Sequence, residues 1–83
     1  MAKSTEQTTF QTLDIWLSSY LALCGIQPNL ESNNGKVVFT FPVSDDLYKL
    51  MVAFNSNAEV PVTDFVTTAK TLRGQMLTMK GRQ

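Results

Sequence analysis

The pair Asn34-Gly35 constrains this chain more than any other feature. It sits within LESNNGKVVFTF, Leu30 to Phe41, and apolar residues alternate on both sides of it. Asn-Gly is the favoured pair for a type I′ turn, because both central residues take positive φ there. With the turn at that pair the register follows. Asn33 opposes Lys36, Leu30 opposes Phe39, Pro28 opposes Phe41 and Ile26 opposes Val43. Side chains alternate between faces, so Ile26, Pro28, Leu30, Phe39 and Phe41 share one side. Gln27, Asn29, Glu31, Val38 and Thr40 share the other. Turn chemistry and alternation agree on an antiparallel hairpin. Pro28 has no N–H to donate, which places the first strand at an edge, and Pro42 stops the second.

Helices flank the hairpin. Leu13, Trp16, Leu17, Tyr20, Leu21 and Cys24 recur at three and four, which predicts a helix from Leu13 to Cys24. Thr12 is its expected N-cap, with Asp14 in the first turn and Gly25 as the left-handed residue past the end. Ser18 and Ser19 fall mostly off its apolar stripe. After the hairpin, Ser44 caps a second helix, Asp45 to about Asn55, whose stripe is Leu47, Leu50, Met51 and Phe54. Asn55-Ser56-Asn57 reads as a turn, and Ala58 to Val60 could add a brief extended segment. Pro61 opens a last helix running to about Met79. Val62, Phe65, Val66, Ala69, Leu72, Met76 and Met79 give its stripe, and Gly74 in its middle costs about 1 kcal/mol against alanine. Met1 to Thr9 reads as a disordered lead-in, residues 10–79 as one small domain and residues 80–83 as a tail. The expected fold class is α+β, a two-stranded antiparallel hairpin packed with three helices in the order α-β-β-α-α.

Composition narrows the function classes. A chain of 83 residues makes one small domain with a thin core, which association with a partner would help. Its formal net charge of zero argues against a molecule built wholly around phosphate. The absence of histidine removes the commonest general base and the commonest metal ligand together. One cysteine, Cys24, excludes an internal disulfide and suits a reducing compartment. No apolar run approaches the ~20 residues that span a bilayer. The polar start MAKSTEQTT leads into no signal-peptide core, so a cytoplasmic location is expected.

A wider pattern joins these elements. Phe10, Thr12, Asp14, Leu17 and Gly25 lead to Gly35, Val37, Phe39 and Phe41, then to Phe54-Asn55, Phe65 and Leu72. In that order the chain resembles an uncharacterised family of small bacterial proteins known only as carrying a domain of unknown function. The resemblance runs from about Phe10 to Leu77 and implies helix, hairpin, helix, helix. Ser18 and Ser19 stand where small alanines are usual in that family. No activity comes with the resemblance.

Each candidate for chemistry has a structural alternative. Asp45 and Asp46 are adjacent on a helix and cannot aim at one atom, so they read better as first-turn acids offsetting the dipole. Cys24 lacks a histidine to activate it and lies on an apolar stripe, which suits a small buried hydrophobe. Trp16 and Tyr20 could stack a base or ligand, but aromatics at helical spacing are more often core. Charge is the most suggestive feature. Residues 43–66 hold Asp45, Asp46, Glu59 and Asp64 against Lys49, a net of −3, while residues 67–83 hold Lys70, Arg73, Lys80 and Arg82 with no acid, a net of +4. Lys70, Arg73 and Lys80 share a helix face opposite the apolar stripe and could follow a phosphate backbone. Cations near a helix C-terminus also stabilise its dipole, and without interleaved aromatics that explanation comes first.

The expected function is therefore a small non-catalytic interaction or assembly module, with a nucleic-acid-binding accessory protein as the alternative. No enzyme, cofactor, metal site or membrane partner is implied. The partner is the chain itself, as a homodimer, or a larger protein. For the homodimer the expected contact is the outer edge of Val37, Val38, Phe39, Thr40 and Phe41, which carries no proline and invites a second copy's strand.

Overall fold

The computed structural model of the chain describes residues 8–81. The lead-in expected over Met1 to Thr9 lies outside them except for Thr8 and Thr9, and Arg82 and Gln83 lie outside at the other end. The elements are β1 (Thr9–Thr12), α1 (Ile15–Leu23), β2 (Asn29–Asn33), β3 (Lys36–Pro42), α2 (Asp45–Asn55) and α3 (Val62–Gly81).

The hairpin forms as its turn chemistry requires. Asn34 has φ 54° and Gly35 φ 81°. Asn33 pairs with Lys36 and Leu30 with Phe39. The ladder begins at Asn29, so the expected pairings of Pro28 with Phe41 and Ile26 with Val43 are not made. The sheet itself corrects the expected fold class. It has three strands in the order β1-β3-β2, because β1 lies antiparallel along the outer edge of β3. Thr9 faces Pro42, Phe10 faces Phe41, Gln11 faces Thr40 and Thr12 faces Phe39. The edge expected to take a second copy at Val37, Val38, Phe39, Thr40 and Phe41 is thus filled by the same chain over Phe39 to Phe41. The physical reason is the one that made the edge suspect: its free N–H and C=O groups need a partner. The nearest extended segment supplies it.

Helix boundaries follow their caps. Asp14, not Thr12, is the N-cap of α1, and its carboxylate accepts from the N–H groups of Trp16 at 2.9 Å and Leu17 at 3.2 Å. Thr12 Oγ1 instead accepts from the Asp14 N–H at 3.0 Å. Ser44 caps α2, accepting from the Leu47 N–H at 3.0 Å. α1 and α2 both end in Schellman motifs. After α1, the Ile26 N–H reaches the Leu21 carbonyl and the Gly25 N–H the Ala22 carbonyl. After α2, Ala58 reaches Ala53 and Asn57 reaches Phe54, with Asn57 at φ 66°.

The core lies between the sheet and the helices. Phe39, Phe41, Leu21 and Leu47 are fully buried, joined by Tyr20, Ala22 and Leu72. Burying each leucine or phenylalanine among them contributes roughly 1.5–3 kcal/mol. Phe10 of β1 adds its ring 6.5 Å from that of Phe41. The stripe expected for α1 is corrected here. Ser18, Ser19, Tyr20, Leu21 and Ala22 are buried, whereas Leu13, Trp16 and Cys24 are exposed. Five consecutive residues at about 100° apart wrap the whole helix, so the middle of α1 is packed on every side. Small side chains at Ser18, Ser19 and Ala22 let neighbours approach it closely.

Two glycines with open space around them give opposite expectations. A Cβ at Gly35 or at Gly74 would meet nothing within 4 Å. Gly35→Val should nevertheless cost at least about 1–2 kcal/mol through its positive φ, and Gly74→Ala should stabilise α3 by about 0.5–1 kcal/mol. Urea unfolding midpoints check both. Ser18 Oγ is buried with no hydrogen-bond partner among the described residues. Ser18→Ala should therefore hold stability or raise it by about 1 kcal/mol, and a clear loss in the same unfolding assay would reveal a bond to that hydroxyl.

Candidate functional site

Two basic residues of the last helix, Lys70 and Arg73, sit where α3 packs beside the start of α1. Lys70, Arg73 and Lys80 are all exposed, and Arg82 lies outside the described residues. They do not lie opposite the apolar stripe, as the spacing alone suggested. At about 100° per residue, Val62, Val66, Arg73, Leu77 and Lys80 fall within one narrow sector with Lys70 at its border. That sector adjoins the buried line of Phe65, Ala69, Leu72 and Met76. α1 and the sheet cover only the buried line, which leaves Val62 72%, Val66 41% and Leu77 55% exposed.

Lys70 and Arg73 flank a groove of about 300 Å³ whose other walls are Ile15, Trp16, Val66 and Ala69. Trp16 was expected in the core. It is instead 54% exposed, with one ring face stacked on Phe65 at a centroid distance of 6.0 Å. The Asp14 cap explains this placement. It starts the helix at Ile15, and burial centred on Ser18 to Ala22 leaves the first turn hanging beside α3. The signal in the sequence was the Asp14 cap together with the small Ser18, Ser19 and Ala22, which mark where α1 is gripped. Neither Lys70 nor Arg73 has an ion-pair partner among the described residues. Apolar walls with two unpaired cations at the rim suit an amphipathic partner carrying negative charge.

The remaining candidates do not converge on a reaction centre. Asp45 and Asp46 are exposed in the first turn of α2. Asp46 and Lys49 line a separate crevice with Cys24, Gly25, Ile26 and Leu50. Cys24, expected to be buried, is exposed at the C-cap of α1. Among the described residues no three His, Cys, Asp or Glu side chains gather as a metal site would require. No helix among them is long and apolar enough to cross a membrane. The far side of the sheet presents Thr9, Gln11, Asn29 and Glu31, all exposed.

The family described as a domain of unknown function (DUF5659) matches residues 7–78, and the chain belongs to it. No match was found among curated proteins or among solved structures.

Tyr20, the buried aromatic of the α1 pair, lies beside the Phe54 ring at 5.5 Å. Burial raises its phenol above the usual 10, and a hydrogen bond to the Cys24 side chain adds to the shift. The folded protein then keeps a proton that the unfolded chain releases. Stability is full below about pH 10 and falls as pH rises through the folded value. Urea midpoints at mildly and strongly alkaline pH should drop less for Tyr20→Phe than for the parent chain. Equal drops would remove Tyr20 as the cause.

Proposed function

We propose that this DUF5659 protein is a non-catalytic interaction module that docks through the flank formed by α1 and α3. One observation carries the reading. Apolar side chains that the fold could have buried, Trp16, Val62, Val66 and Leu77, stay open along one helix flank beside Lys70 and Arg73. Trp and Arg are enriched at interface centres because each offers large contact area with a polar handle. The flank runs from Val62 to Leu77, about 22 Å along the helix axis, longer than a small ligand needs. Its lone thiol suits action in a reducing compartment, which supports a cytoplasmic setting.

A second reading draws on the same residues. Trp16 beside Lys70 and Arg73 supplies the interleaved aromatic that a single-stranded nucleic acid would stack on. The apolar length of the flank and the zero net charge of the chain favour a protein partner instead.

A photoreactive phenylalanine analogue separates the two when placed at position 66 and, as a control, at position 11 on the exposed sheet face. In source cells, irradiation should give a discrete protein adduct from position 66 and none from position 11. An adduct lost on nuclease treatment would establish the nucleic-acid reading. No adduct beyond that of the control would end both.

A further inference from the structure

We propose that the groove between α1 and α3 receives α2 of a second copy of this chain. The inference rests on the docking role of that flank and names its partner. Beyond the buried side of α2, Tyr48 is 50% and Val52 65% exposed, and they share an outward face with Asp45. Asp45, Tyr48 and Val52 are spaced three and four apart, one helical stripe. On α3 the groove residues Val66, Lys70 and Arg73 are spaced four and three apart. Antiparallel packing therefore brings all three pairs level at once. Asp45 meets Arg73, Tyr48 meets Lys70 and Val52 meets Val66.

Each pair is chemically matched. The Asp45 carboxylate supplies the anion that Arg73 lacks among the described residues of its own chain. The Tyr48 ring offers its face to the Lys70 ammonium, and the phenol stays at the wet rim. Val52 closes on Val66 and the open side of Trp16, the apolar floor of the groove. Lys49 does not oppose Lys70, because it lies with Asp46 in the crevice beside Cys24. Each copy offers one α2 and one groove, and the proposal pairs them about a two-fold axis, which makes the contact twice and closes the dimer.

This contact differs from strand pairing along β3, which β1 has filled. It also covers Trp16, Tyr48, Val52 and Val66, four exposed apolar positions of a chain whose core is thin.

Sedimentation velocity at tens of micromolar tests it through charge exchange. The parent chain should run as a dimer. Arg73→Asp alone and Asp45→Arg alone should each weaken the dimer by about tenfold or more, because each turns two ion pairs into two like-charge contacts. Mixing the two variants in equal amounts should restore a dimer, since every Arg then faces an Asp across the interface. That rescue also shows both variants folded, and circular dichroism on each alone confirms it. A monomeric parent chain would overturn the proposal, as would a dimer indifferent to both substitutions or a mixture that stays monomeric. A monomer that still gives a protein adduct from position 66 would end the self-association and leave the docking flank standing.

Discussion

The core of this domain is built around a nine-residue helix whose middle has no exposed side. From Ser18 to Ala22 each side chain of α1 is buried, and those directions together circle the helix axis. α2 and α3 pack directly on it, and its buried side chains join those of the sheet in one core. Three small residues among the five, Ser18, Ser19 and Ala22, help permit this, because a helix surrounded wholly by large side chains would hold its neighbours farther apart. The arrangement costs hydroxyl desolvation at two serines. Ser19 returns its bond to the Ile15 carbonyl at 2.7 Å, and Ser18 does not. α3 approaches closely enough to bury Ala69 and Leu72, and its flank is then turned outward with Trp16.

The elements that the sequence made legible are those decided by local chemistry. Asn34-Gly35 needs two positive φ angles, Ser44 needs one N–H to cap, and Gly25 needs a left-handed backbone. All three formed as read. β1 was not legible, because TFQT offers one apolar residue and its partner lies about 30 residues away in sequence. Its strand character comes from the free edge of β3 and not from its own residues, which is the ordinary weakness of strand propensity. The α1 stripe failed for a related reason. A period of three and four assumes one buried face, and a helix buried all round carries no such signal.

The candidate site was half legible. Lys70, Arg73 and Lys80 were found from their spacing, and they are exposed as expected. Their neighbours were not found. Val62 and Val66 belong to the same periodic stripe as Leu72, and nothing in the chain alone says where coverage by α1 stops. Trp16 stood among six apolar positions on a helix whose start was placed two residues early. Moving the cap from Thr12 to Asp14 changes which turn is gripped by the core and which is left beside the cations.

The placement of charge is the last thing the fold has to explain. Among the described residues no ion pair forms, so the acids of residues 45–64 and the bases of residues 70–80 do not hold the monomer together. Exposed pairs would contribute only about 0–1 kcal/mol each in any case. Helix dipoles account for Asp45, Asp46 and Asp64, which sit in first turns, and for Lys80, which sits in a last turn. They do not account for Lys70 and Arg73, which lie mid-helix where the dipole has no free end. What those two residues do have is a place on an apolar groove. Their long stems can lie along its wall while their heads stay in water, so the flank remains solvated when unoccupied. When occupied, the same heads penalise any apolar partner that brings no negative charge. Apolar area makes the flank able to dock, and the two cations decide what it docks with.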